Sequence, residues 1–213
     1  MEDPCSPRRS GGRGYLTLKL KAEVLRRARE LARAEGRREP RARWIVRQRG
    51  VPQEAYDSAA RRILRGPAFG VACRVEDPRG RVLLVRPPAR RDPRQRWVTP
   101  GGGSRRGETP RQAVRREVRE ETGGSLLDLR LWKVYDEELR APDGSRLPWV
   151  FLQYRAGWKG GLPRPYDREE IAEIRWFSRL PTSMAWREDW LLRPFGPGPR
   201  PAQPRTRGVR SRQ

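Results

Sequence analysis

Residues 102–124 run GGSRRGETPRQAVRREVREETGG, and Gly102, Glu108, Arg116, Glu117, Val118, Glu120, Glu121 and Gly123 stand in them as G-x5-E-x7-R-E-V-x-E-E-x-G. The second half is written as a helix. Thr109 is suited to the N-cap, Pro110 to the first helical position and Gln112 to the third, which together form a capping box. Gly123 and Gly124 supply the stop. On that helix Glu117, Glu120 and Glu121 fall at i, i+3 and i+4, so three carboxylates share one side. Like charges so placed repel unless a cation sits among them, and clustered oxygen ligands suit a hard divalent ion. Arg116 lies four residues before Glu120 and is placed to orient a carboxylate of the cluster. Upstream, Pro100-Gly101-Gly102-Gly103 forms a loop whose backbone can approach a ligand closely, with a carbonyl free to join a metal's ligands. The competing reading is a solvated charged helix whose glutamates pair with the abundant arginines; it leaves the coincidence of loop, cap, spacing and stop unexplained.

The pattern resembles the Nudix box, G-x5-E-x7-R-E-U-x-E-E-x-G-U with U aliphatic, and departs from it only at the last position, where Gly124 replaces the aliphatic residue. Leu126 or Leu127 is expected to take over its packing. Arg96–Gly103 (RWVTPGGG) resembles the family's strand entering its loop, and Glu170–Leu180 (EIAEIRWFSRL) its late strand, so the likeness spans about 68–192. The resemblance implies an α/β fold of the α+β type: a mixed sheet sandwiched between helices, here with a helical N-terminal extension. It implies hydrolysis of a nucleoside diphosphate linked to another moiety by attack of water on phosphorus, with magnesium as cofactor and manganese as its substitute. By position, Glu117, Glu120 and Glu121 would be metal ligands, Gly102 would offer a backbone carbonyl, Arg116 would orient the cluster, and Glu108 would be a structural acid beside the loop.

The chemistry agrees with the residue types present. Magnesium neutralises phosphate oxygens and lowers the pKa of a bound water. The chain has no histidine, so the general base cannot be one, and Ser-His-Asp triads and histidine-bound zinc are excluded. Two cysteines, Cys5 and Cys73, cannot build a zinc cluster. Candidates for the base are Glu120 and Glu121 in the box, Glu137 and Glu138 at a strand end, and Glu170 and Glu173 near a later loop; Glu121 is preferred. For substrate binding, Trp97, Phe69 and Trp149 offer rings that can stack on a base. Arg74 and Arg86 offer guanidinium groups for phosphate oxygens. Core packing and solvent-facing arginines are the plainer alternatives.

Along the 213 residues, three regions are expected: a basic, mostly helical extension at 1–65, a catalytic domain at 66–193 and a disordered Pro/Arg-rich tail at 194–213. Residues 1–14 also read as disordered. Val24–Ala34 repeats apolar residues at helical spacing, Trp44-Ile45-Val46 is a short apolar run, and Pro52–Leu64 is a proline-opened helix. Strands are expected at 68–76 and 81–87 around Asp77-Pro78-Arg79-Gly80, at 127–139 and 147–158 around Pro142-Asp143-Gly144-Ser145, and at 171–177, followed by a helix at 182–192. No run approaches eighteen apolar residues, and the first residues lack the apolar core of a secretory signal, so a cytoplasmic, non-membrane protein is expected.

The net charge is +23. The first 65 residues hold 18 Lys+Arg against 8 acids, the last 20 hold 5 against none, and the remainder 26 against 18. Basic flanks of this kind invite a nucleic-acid partner. Yet the only lysines are Lys19, Lys21, Lys133 and Lys159, an arginine skew that codon bias alone would give. A Nudix-fold RNA-binding or sensor protein with basic arms and little catalysis is the alternative to an enzyme acting on a small nucleotide; eroded carboxylates would be its mark, and all three are retained.

Overall fold

A computed structural model describes the backbone of residues 11–65, 69–165 and 168–184, with side chains from residue 22 to 61 in the first stretch. In chain order the elements are α1 (Gly11–Arg38), β1 (Arg43–Gly50), α2 (Gln53–Arg65), β2 (Phe69–Glu76), β3 (Val82–Arg86), β4 (Gly101–Gly103), α3 (Pro110–Thr122), β5 (Ser125–Arg140), β6 (Arg146–Lys159) and β7 (Glu173–Phe177). The seven strands form one mixed sheet in the order β1-β5-β6-β2-β3-β7, with β4 paired to β2. β1 runs parallel to β5 and β2 parallel to β6; the β5–β6, β2–β4 and β3–β7 pairs are antiparallel.

Period-two alternation puts two different faces on the central strands. Phe69, Val71, Cys73 and Val75 of β2, with Val150, Leu152, Tyr154 and Ala156 of β6, turn toward α3 and α1. There they meet Ala113, Val114, Val118, Ala28 and Ala32 in the main core. On the other side Leu147, Trp149 and Phe151 pack with Ala55, Tyr56, Ala59 and Ala60 of α2. Helices therefore cover both faces of the sheet, as expected.

The box helix forms as its sequence dictates. Thr109 caps α3 and exchanges bonds with Gln112: its hydroxyl accepts from the Gln112 N–H, and the Gln112 side chain accepts from the Thr109 N–H at 2.9 Å. Gly123 closes the helix in a left-handed conformation at φ 70°. Gly124, the departure from the box, has a steric cause: a Cβ there would collide with the indole of Trp158. Leu126 is buried in the main core while Leu127 is exposed, so Trp158 and Leu126 supply the packing that an aliphatic residue at 124 would give.

The N-terminal segment is mostly helical, as expected, with one strand between its helices. Its first helix begins at Gly11, ahead of the expected start, and runs to Arg38; residues 1–10, expected to be disordered, lie outside the described residues. Trp44-Ile45-Val46, the short apolar run, belong to a strand, because β1 pairs residue for residue with Lys133–Arg140 of β5. Three of the segment's arginines bind back to β5: Arg29 to Asp136 at 2.8 Å, and Arg47 and Arg49 to Glu137 at 3.3 and 2.8 Å. α1 is tied to α3 as well, since Arg111 bonds Glu35, Glu39 and the Leu129 carbonyl. These arginines are spent on the fold, not carried on a free arm.

At the other end, the helix expected at 182–192 does not begin at Thr182: Ser183 accepts a bond from the Trp97 N–H and Met184 bridges Trp97 in extended form. Residues 185–192, with Trp186, Trp190 and Leu191, lie outside the described residues, as does the tail at 194–213.

Candidate active site

The glycine strand and the capped helix are brought together along one edge of β2. β4 pairs with β2 as Gly70↔Gly103, Val71↔Gly102 and Ala72↔Gly101. At its ends the Cys73 N–H donates to the Pro100 carbonyl and the Ser104 N–H to the Phe69 carbonyl. These bonds fix the alternation, so Gly102 exchanges its backbone bonds with Val71, while Gly101 and Gly103 turn theirs toward α3. The Gly101 N–H donates to Glu121 Oε2 at 2.8 Å, and the Gly103 carbonyl accepts from Arg116 Nη2 at 2.9 Å. The carbonyl expected from Gly102 is thus committed to the sheet, and its neighbours face the helix. Gly102 matters sterically instead: a Cβ there would lie 2.5 Å from Glu117 Oε1. The helix carboxylate rests directly on the glycine backbone.

Arg116 is the hub. Its Nε and Nη2 hold Glu108 at 2.6 and 2.9 Å, and its Nη1 reaches Glu117 Oε1 at 2.9 Å and Glu120 Oε2 at 3.0 Å. Arg105 adds a second guanidinium to Glu120 at 3.1 Å. Glu108 bonded in this fork pushes the Arg116 pKa up, helped by Glu117 and Glu120. In return the Arg116 bonds hold the Glu108 carboxyl below the usual range, despite its partial burial.

Glu121 sits differently. It is 8% exposed, and among the described residues no basic side chain pairs with it. Burial pushes its carboxyl well above the ordinary carboxylate range; the Gly101 N–H pulls the other way, and the charges of Glu117, Glu170 and Glu120 add to the rise. Glu117 and Glu120 lean to Arg116 and Glu121 to Gly101, so the three acids share a region without closing on one point. Among the described residues, no three acidic or other ligating side chains do so. Helical spacing puts the three carboxylates on one face of α3, as expected, and Arg116 and the Gly101 N–H set their rotamers. The donor set still suits a hard cation. It consists of carboxylate oxygens beside a glycine backbone, and it includes a buried carboxylate that no cation among the described residues pairs with, which is costly when ionised unless a positive charge is supplied.

The other expected residues fare unequally. Arg74 is 1% exposed, pairs with Glu76 at 3.1 Å, and has its pKa lowered to about 10, chiefly by burial and against the pull of Glu76; it is neither solvent-facing nor open to phosphate. Arg86 pairs with Glu173 and lies 5.2 Å from the centre of the Trp97 ring. Trp97 itself is buried with Val82, Leu84 and Phe177, meeting Phe177 edge to face at 4.8 Å. Phe69 belongs to the main core. Glu137 is buried inside the β5–β6 ladder opposite Trp149 and bound by Arg47 and Arg49, within the strand and not at its end. Glu170 pairs with Arg91 at 2.7 Å and Glu138 with Arg140 at 3.0 Å.

Trp149 has another setting. With Phe151 and Gln153 of β6 it lines a cavity of about 320 Å³ that also touches Gly101 and Gly102. The far wall is α2. Sequence reasoning found Trp149 but missed this cavity, since helical periodicity tells which side of α2 faces inward and not what it faces.

A family profile describing the NUDIX domain matches residues 64–191. The chain is 28% identical to the MutT NUDIX hydrolase of Burkholderia pseudomallei, over 58% of this chain and 94% of that one, with a TM-score of 0.48. It is 26% identical to the MutT protein of Bacillus halodurans, over 52% and 67%, with a TM-score of 0.43. It is also 26% identical to a NUDIX hydrolase of Nitrosomonas europaea, over 56% and 64%, with a TM-score of 0.43. No curated protein matches it. With the profile covering more than half of its length and the box residues assembled on the glycine strand, the chain belongs to the NUDIX hydrolase family.

Proposed function

We propose that this NUDIX hydrolase is a magnesium-dependent pyrophosphohydrolase of nucleoside diphosphates linked to another moiety, with nucleoside triphosphates as its default substrates. One observation carries the reading: Arg116 holds Glu117 and Glu120 beside the glycine strand on which Glu121 also rests. Glu117, Glu120 and Glu121, with a carbonyl of the glycine strand, would hold the metal, and manganese would substitute for it. Bound there, the metal would supply charge neutralisation for the diphosphate and a more acidic water.

The chain's own residues do the rest. Arg116 fixes the directions of two carboxylates, so little reorganisation is needed when charge develops. Arg105, reaching Glu120 from the loop before α3, keeps a positive charge where an anionic substrate enters. Glu121 is the candidate to take a proton from water, because it rests on the Gly101 N–H of the glycine strand while Arg116 holds Glu117 and Glu120. The described residues contain no helix long and apolar enough to cross a membrane; a cytoplasmic enzyme acting on free nucleotides is part of the proposal.

A panel of nucleoside triphosphates, nucleotide sugars and capped RNA ends tests the reading, with phosphate and pyrophosphate release measured separately. Hydrolysis of a phosphoanhydride bond in at least one class is expected; nucleotide binding without turnover across the panel would favour a sensor.

Glu121 also gives a stability prediction. Its folded pKa lies above the unfolded value of 4.5, so ionisation favours the unfolded state, and stability declines as pH rises from about that value toward the folded pKa. In chelator at pH 7, Glu121→Gln should therefore melt above the wild type, and in separate assays with magnesium it should lose hydrolysis. Lower melting of the variant would show that the buried charge is not a cost.

A further inference from the structure

β4 is shared by two environments. Gly102 lies under Glu117 and Gly101 bonds Glu121, yet both glycines also line the cavity that Trp149 and Phe151 enter. A substrate whose diphosphate reaches the carboxylates therefore has its next group at this opening. The cavity is walled by two aromatic rings and by Ala55, Ser58 and Ala59 of α2, with Arg49 at its polar side. The α2 residues fall at i, i+3 and i+4, so one helix face presents small side chains to the hollow. Arg49 is held in place by Glu137 at 2.8 Å, which fixes the direction of its guanidinium at the cavity wall. An apolar, aromatic-walled hollow with a few fixed polar groups suits a flat heterocycle and not an inorganic phosphate chain or a bare sugar. This wall comes from Arg49–Ala59, ahead of residues 64–191 where the family match lies, so it is something this chain adds to the domain.

Resting on the proposed hydrolase reading, we infer that the cavity receives the base of a nucleoside substrate against Trp149, and that Arg49, Ser58 and Ala59 of the N-terminal segment decide which bases are admitted. The segment is then a specificity element of the site, not an appendage.

The test fills the hollow from the α2 side in the full-length chain with Ala59→Phe and, from a less buried position, Ser58→Phe. Two readouts are taken: kcat and KM on the best nucleotide of the panel, and calorimetric binding of the matching nucleoside monophosphate against ribose 5-phosphate. KM and the monophosphate dissociation constant should each rise at least about tenfold, with kcat changed less than about twofold and ribose 5-phosphate binding unchanged. A variant that keeps its melting temperature and binds and hydrolyses like the wild type overturns the inference. If the wild type hydrolyses nothing while the variants lose monophosphate binding, the cavity assignment stands and the hydrolase reading falls. If the wild type is active and folded variants are indifferent, the reverse holds.

Discussion

Glu120→Gln should lower kcat by at least about a hundredfold, the scale of losing one charge-stabilising contact in a preorganised site, and should leave the melting temperature nearly unchanged. The two expectations separate because Glu120 serves the fold little. Its side chain is 29% exposed and its bonds to Arg116 and Arg105 lie at the rim, where ion pairs contribute about 0–1 kcal/mol. Glutamine keeps the volume and still accepts from either guanidinium, so the geometry survives. What disappears is one unit of negative charge beside Glu117 and Glu121, and with it affinity for a doubly charged cation. Near-normal turnover in Glu120→Gln would remove Glu120 from the proposed metal ligands.

Arg116→Met should be the most damaging change to the fold. The guanidinium is largely buried and satisfies Glu108, Glu117, Glu120 and the Gly103 carbonyl together. Removing it leaves three carboxylates facing one another with an unsatisfied carbonyl. Deleting one partner of a buried pair costs about 3–5 kcal/mol, which for a chain of this size lowers the melting temperature by roughly 10 °C. Arg116→Lys keeps the charge but replaces a planar fork with a point donor, so only part of the loss should return. The pH dependence checks the cause. Arg116 holds the Glu108 pKa below its unfolded value of 4.5. The stabilisation is therefore present above about pH 4.5 and lost as pH falls through the folded pKa. The melting gap between wild type and Arg116→Met should narrow on acidification; a gap constant in pH would mean that lost packing, not charge, is responsible.

Much of this was legible in the sequence because it is local. Thr109, Gln112 and Gly123 announce both ends of α3, and the box spacing puts its glutamates on one side of it. Asp143-Gly144 marks the turn between β5 and β6, although their pairing shifts register between Leu127 and Arg130 and between Leu131 and Lys133. What was hidden depends on distant partners. Trp44-Ile45-Val46 becomes a strand only because Val134–Asp136 lies parallel to it, about ninety residues away in the chain. Arg74 alternates on its strand like a solvent-facing residue but is covered and paired with Glu76. Gly124 looks like a defect in the motif until Trp158 is seen in the space a side chain would take. The rotamers of Glu117 and Glu121 follow from Arg116 and the Gly101 N–H, which no spacing rule encodes. The cavity wall on α2 needed the tertiary fold, since Ala55, Ser58 and Ala59 carry no chemical signature of their own.

Manganese binding followed by electron paramagnetic resonance addresses the metal directly, because only the free ion gives the full aqueous signal. Titrating the wild type should quench that signal, magnesium should restore it by competition, and Glu120→Gln should quench it far less at equal protein concentration. An undiminished free-ion signal with the wild type, or equal quenching by the variant, would contradict a cation site built from the acids of α3.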